Sequence, residues 1–298
     1  MTMTIATTVD DILAGLASGA RPIAGGTDLV VGARQGKVQL PEDLIAIDRV
    51  SELAQIEQSG ESTRIGSGVT HATLMTDPTI VNNFTGIADA AALVGSPATR
   101  NVGTIGGNVM NGSPAMDTGA PLVVLGAQAE LRTTTGTRMV SLDELWVGPS
   151  KTSATDDELC TALVVPNQPE SSGSAYVRLE YRRAMEIAIV GAAAAVTLDG
   201  DSLKSVEVAL TAVAPTIISV DGLDDLLGAP ANESALAAVA EAASEQAAPI
   251  SDLRASDRYR RHMIGVMARR AVEAAARRAS GETIAVPVNR ALGVGAQS

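Results

Sequence analysis

Ala24-Gly25-Gly26-Thr27-Asp28-Leu29 and, further along, Thr104-Ile105-Gly106-Gly107-Asn108 are the two glycine-rich stretches around which the rest of the chain is read. The first lies between a short strand-like run, 21–24, and residues 28–31, which begin a helix. Backbone amides at such a junction converge on one concavity, and the following helix adds the positive end of its dipole. Glycine removes the Cβ that would hold a pyrophosphate off those amides, so Gly26→Val is expected to fill phosphate space. Thr27 adds a hydroxyl donor or a helix cap. Two readings stay open for either cluster, a phosphate-holding loop or a pair of tight turns. The spacing is not G-x-G-x-x-G, so a dinucleotide fingerprint is absent. The second cluster runs on to Asn111-Gly112-Ser113-Pro114-Ala115-Met116-Asp117, whose carboxylate either accepts from sugar hydroxyls or caps a helix containing 122–125.

Working outward, 9–16 has helical spacing and 44–47 reads as a second strand. Residues 63–69 read as strand and turn, with helices at 71–75 and 87–94. The stretch 95–117, with two prolines and five glycines, reads as irregular. Strands are expected at 129–133, 138–141 and 158–165. The polar run 167–174 is the best linker. Beyond it, 188–198 and 206–213 read as strands, and the Ala-rich 234–248 and 257–279 as helices. The expected division is 1–52, 53–168 and 175–283, with 284–298 as a tail.

Composition narrows the chemistry. The 298 residues carry a net charge of −12 and include one Cys, two His and five aromatic residues. A closed zinc site or an iron–sulfur cluster needs about four ligands, for which Cys160, His71 and His262 are too few. A disulfide framework is excluded, in keeping with a reducing, cytoplasmic setting. The acidic balance argues against nucleic acid as a partner, although eight arginines crowd 254–278. The first sixteen residues lack a signal-peptide pattern, and no apolar run is long enough to span a membrane.

AGGTDL at 24–29, ATRNVGTIGGNVMNGSPAMD at 98–117, YRRAMEIAIVGAAAAV at 181–196 and SDLRASDRYRRHMIGVMARRAVEAA at 251–275 together resemble the FAD-binding subunit of the molybdenum hydroxylases. That family includes the flavin part of xanthine dehydrogenase and the medium subunit of aerobic carbon monoxide dehydrogenase. The likeness keeps the same order along nearly the whole chain, to about residue 284.

The resemblance implies an α+β protein with the two-subdomain vanillyl-alcohol-oxidase-type (PCMH-type) FAD-binding fold and a C-terminal α+β domain. By it, Ala24, Gly25, Gly26, Thr27, Asp28 and Leu29 wrap the pyrophosphate. Thr104, Gly106, Gly107 and Asn108 form the second wall, Asp117 takes a sugar hydroxyl, and the backbone of Cys160 meets the adenine. Arg178 stands where many relatives have a Lys near the flavin. Ile187 replaces a Tyr of the carbon monoxide dehydrogenase branch, the alternative being a plain core strand residue. No catalytic acid–base pair is demanded of this chain, and His71 and His262 are read as packing or surface residues. Electrons are implied to arrive from a small subunit with two-iron two-sulfur clusters, the molybdopterin to sit on a large subunit, and the whole to be a dimer of heterotrimers. The acceptor is NAD, a quinone, oxygen or a carrier. On the C-terminal helix, Arg258, Arg261 and Arg269 face either a partner's acidic surface or solvent. A stand-alone flavin oxidase or reductase and a flavin-less scaffold are the competing readings.

Overall fold

The computed structural model describes residues 2–293 as an α+β chain built on three larger sheets. The first unit comprises β1 (Thr2–Ile5), α1 (Val9–Ala17), β2 (Arg21–Ile23), α2 (Leu29–Arg34) and β3 (Asp43–Ala46). Its strands are parallel in the order β1-β3-β2. Thr8 caps α1 and Asp11 returns the bond to the cap, which fixes where the helix starts. Val9, Ile12, Leu13 and Leu16 recur at helical spacing and pack on Ile45, Ile47 and Leu53.

The second unit opens with β4 (Ile56–Ser59) and β5 (Ser62–Gly66). Six short helices follow: α3 (His71–Leu74), α4 (Pro78–Asn83), α5 (Thr85–Leu93), α6 (Pro97–Val102), α7 (Ile105–Asn111) and α8 (Gly119–Val124). The unit then returns to sheet through β6 (Gln128–Arg132), β7 (Thr137–Ser141), α9 (Leu142–Leu145), β8 (Trp146–Gly148), β9 (Lys151–Thr152) and β10 (Leu159–Pro166). β10 lies at the centre of an antiparallel sheet ordered β4-β5-β10-β6-β7. The irregular stretch expected at 95–117 is corrected: it holds α6 and α7. Ser96 and Thr104 cap them by accepting from the Thr99 and Gly107 amides, and Pro97 takes the first helical position, where no N–H is needed.

The third unit pairs β11 (Ser172–Leu179), β12 (Val190–Asp199), β13 (Ser202–Thr211) and β14 (Ile218–Ser219) antiparallel. Its helices are α10 (Glu233–Gln246), α11 (Asp257–Ala279) and α12 (Val288–Ala291). β12 is buried on both faces. Ala192 and Ala194 pack under α11 in one core, while Ala193 and Ala195 join the core of the second unit. Alanine at these positions keeps both layers close to the sheet.

Three expectations change here. β11 begins at Ser172, so the end of the 167–174 linker is strand. Ile187 is not a core strand residue: it precedes β12 and is 48% exposed. The stretch 284–298, expected as a tail, carries α12 with Val288 and Asn289 buried; residues 294–298 lie outside the described ones. Among the described residues, no helix is long and apolar enough to cross a membrane.

Candidate functional site

The two glycine clusters, far apart in sequence, meet in space. A Cβ on Gly25 would overlap the Val102 carbonyl, so the turn after β2 lies directly against the end of α6. Gly103 sits between the Thr27 hydroxyl and the His71 ring, each 3.4 Å from where its Cβ would be. A third segment closes the wall. The His71 amide donates to Gly103 O (3.1 Å), Ile105 to Val69 O (3.0 Å) and Gly106 to Ser67 O (2.9 Å). Gly106 is needed because its Cβ would strike Ser67.

Gly26 has a different task from the one expected. At φ +65° it makes the turn, and its Cβ would point at Val30 and Ile23 rather than into open space. Gly107 is the position where a Cβ meets only the Thr104 hydroxyl, at 3.1 Å; that glycine is exposed and faces outward. Among the described residues, the amides of Gly25, Gly26, Thr27 and Asp28 donate no hydrogen bond to another backbone group or side chain. A run of unused donors at a glycine turn is the donor set an anion requires. The residues present therefore fit the pyrophosphate of FAD.

Asp117 does not cap the next helix: Thr118 occupies the position before α8, without a side-chain cap bond. Asp117 is instead 7% exposed, accepting from Tyr176 Oη at Oδ1 (2.8 Å) and from Arg178 Nη1 at Oδ2 (2.7 Å). Each oxygen keeps a second lone pair for a ligand hydroxyl. Asn108 Oδ1 accepts from Thr118 Oγ1 at 2.6 Å, which leaves its amide group to act as donor. Arg178, expected near the flavin, has a fully buried guanidinium, with Nε 2.7 Å from Glu180 Oε2 and Nη1 turned to Asp117. Burial opposes its charge, but Asp117, Tyr176 and Glu180 hold its pKa above the ordinary value.

Cys160 is buried and its thiol donates to Ala162 O, while burial and the charge of Glu130 push its pKa up to about 12. A redox role for the thiol is unsupported. β10 pairs with β5 only from Ala162 onward, so the main chain at 159–160 has no strand partner on that side. Ile187 and Met185 are exposed on the segment 181–187. That segment is tied down by Met185 N to Gly95 O (3.0 Å) and by Tyr181 Oη to Arg254 O (2.6 Å).

Sequence reasoning missed several residues of this region. His71 is buried against the Gly103 wall with Nδ1 unpartnered, and burial together with Arg100 lowers its pKa to about 4. Ser67 Oγ, in the same wall, is also buried and unpartnered. Tyr176, Glu180 and Asn289 complete the surroundings of Arg178. Of the arginines expected to face a partner or solvent, Arg269 pairs with Glu233 at 2.7 Å and Arg261 donates to the Ala247 carbonyl; Arg258 is exposed. His262 is exposed on α11.

Comparison with known proteins identifies the family of the chain. Residues 1–168 match the family described as the FAD binding domain in molybdopterin dehydrogenase, and residues 175–275 match the CO dehydrogenase flavoprotein C-terminal domain. The chain is 32% identical to the putative xanthine dehydrogenase FAD-binding subunit of Escherichia coli, over 88% of this chain and 91% of that protein. It is 33% identical to the carbon monoxide dehydrogenase medium chain of Hydrogenophaga pseudoflava, over 89% and 92%. Among solved structures, quinoline 2-oxidoreductase from Pseudomonas putida superposes with a TM-score of 0.86 at 28% identity, covering 94% of this chain and 98% of the other. The chain thus belongs to the FAD-binding medium subunits of the molybdenum hydroxylases, as an oxidoreductase subunit.

Proposed function

We propose that this chain is the electron-transfer subunit of a heterotrimeric molybdenum hydroxylase. It would take electrons from a subunit carrying two-iron two-sulfur clusters, itself served by a large molybdopterin subunit. The acceptor would be NAD, a quinone, oxygen or a carrier protein. The observation that carries this reading is the wall made by the two glycine clusters, in which the unused amides of residues 25–28 suit a diphosphate. When bound, FAD supplies the ability to take up electrons singly and release them singly or in pairs.

The chain's own residues bind and orient. The amides of residues 25–28 would hold the pyrophosphate, with the Thr27 hydroxyl beside them. The Gly107 face leaves room for the cofactor chain, and Asn108 and Asp117 would meet hydroxyls on it. The main chain at 159–160, unpaired on the β5 side, would meet the adenine. Ile187, exposed next to β12, would cover part of the ring with an aliphatic surface. Of the five aromatic side chains, Phe84, Trp146 and Tyr176 are committed to the core, so none of these can stack on the ring.

An absorption spectrum of the purified chain tests the binding step. Flavin bands near about 375 and 450 nm, released as FAD on denaturation, are expected. A colourless chain that takes up no added FAD would refute the assignment. Co-purification with a Cys-rich small subunit and a molybdenum subunit is expected for the complex. A chain that turns over a substrate with FAD alone would instead favour a stand-alone flavin enzyme.

A further inference from the structure

Arg178, at the end of β11, is fully buried and serves two carboxylates at once. Nη1 lies 2.7 Å from Asp117 Oδ2, and Nε lies 2.7 Å from Glu180 Oε2. Nη2 is 2.6 Å from that same Glu180 oxygen but off the hydrogen-bonding direction. Nη1 also reaches the Glu186 carbonyl at 3.5 Å, in the segment that carries Ile187. The backbone of Arg178 is clamped by Asn289, whose Oδ1 accepts from the Arg178 amide (3.0 Å) and whose Nδ2 donates to its carbonyl (2.8 Å). On the far side of Asp117, Tyr176 Oη donates to Oδ1, and Gly191 opposite leaves room for that phenol.

Two carboxylates around one buried guanidinium leave the cluster with a net negative charge. Such a cluster is a poor source of stability, since apolar side chains of similar volume would serve as well or better. What it does supply is position. The planar fork of an arginine reaches acceptors on two sides in fixed directions, which a lysine ammonium cannot reproduce. The acceptors here come from different units: Asp117 from the loop after α7, Glu180 and Glu186 from the third unit.

We propose that Arg178 is a positioning residue for the cofactor site, fixing Asp117 as an acceptor for a cofactor hydroxyl and bracing the segment that carries Ile187. This rests on the reading of Asp117 as a cofactor contact. The arginine acts through Asp117 and the Glu186 carbonyl, without touching the cofactor.

The test is an equilibrium titration of the purified, flavin-stripped full chain with FAD, followed by flavin fluorescence. It uses the wild type, Asp117→Asn, Arg178→Met, Arg178→Lys and the Asp117→Asn/Arg178→Met double variant, with thermal unfolding of each apo chain alongside. Asp117→Asn and Arg178→Met are each expected to raise the FAD Kd roughly tenfold or more. The double variant should be no worse than the weaker single, because both remove the same contact. Arg178→Lys should recover part of the loss. A purely structural role would lower apo stability and leave these Kd values independent of each other. Wild-type affinity in Arg178→Met, or losses that multiply in the double variant, would overturn the proposal. Should Arg178→Met fail to fold, Arg178→Lys decides: wild-type affinity in it, with Asp117→Asn impaired, overturns the positioning role. Wild-type affinity in Asp117→Asn would instead overturn the cofactor reading of Asp117 itself.

Discussion

His71 shows how a side chain beside the wall is constrained by burial. Its imidazole is 2% exposed, and its pKa is lowered to about 4 by burial and by Arg100. The unfolded chain takes up this proton near pH 6.5, whereas the folded chain resists it until about pH 4. Between those values the unfolded state binds more protons, so stability falls as pH falls through the window and is fully present above it. The contribution lost is about 3 kcal/mol. Urea unfolding at a series of pH values should show this slope in the wild type and lose it in His71→Gln; an unchanged slope would show that His71 is not the group responsible. The glycines also divide at this scale. Gly25 and Gly106 allow backbones to touch, Gly26 makes a turn, and Gly107 leaves a surface open. That these positions are glycine was legible in the sequence, but which task each performs was not. The difference lies in what stands opposite, and that is set by residues remote in the chain.

Among the elements, α5 and α11 are joined by a buried ion pair. Asp89 is fully buried, accepts from Arg278 Nη1 at 2.6 Å and Nη2 at 3.1 Å, and also takes the Tyr176 and Val288 amides. Burial raises its pKa, against the pull of Arg278 and the two amides. Removing one partner leaves the other buried without its counter-charge, so Asp89→Asn should cost about 3–5 kcal/mol in denaturant unfolding. A loss below about 1 kcal/mol would place the stabilisation elsewhere. α12 depends on the same carboxylate through Val288 and on Arg178 through Asn289. A chain ending at residue 283 should therefore melt a few degrees lower, by roughly 2 °C per kcal/mol lost. An unchanged melting temperature would return 284–293 to the status of a tail. The sequence pattern showed the long amphipathic and Ala-rich helices because their spacing repeats over several turns. It hid β1 and β4, whose residues are exposed or nearly so along their length, and β11, which starts in a Ser/Gly run that resembles a linker. It also hid α6 and α7, where glycines outweighed the Ser96-Pro97 and Thr104 start signals. A lone Asp within the apolar run 87–94 was the one local hint of the ion pair.

Over the whole molecule, the three units share surfaces. Tyr176, Ala193, Ala195, Ala209 and Ile217 of the third unit belong to the core of the second, and Leu159 of β10 belongs to that of the first. The site lies where the first two units abut, and the third supports it from behind through Arg178, Tyr176 and Thr211, whose hydroxyl donates to the Pro114 and Met116 carbonyls. The order of motifs along the sequence carried the family and the cofactor, and it singled out the two glycine clusters, the first of which packs against Val102 and Gly103 at the edge of the second. The support behind Asp117 was beyond it, because Arg178 reads from sequence as a charge near the flavin and only packing turns it inward. Whether FAD is held between the two glycine walls is tested at Gly107. A Cβ there meets only the hydroxyl of the helix cap Thr104 and the residue is exposed, so the apo fold should be kept, while on the proposed reading a larger side chain would occupy cofactor space. Titration of flavin-stripped wild type and Gly107→Leu with FAD, with apo melting curves in parallel, should give saturable binding in the first and at least about a tenfold weaker Kd in the second at matched stability. Equal affinity for FAD in the two would contradict the claim.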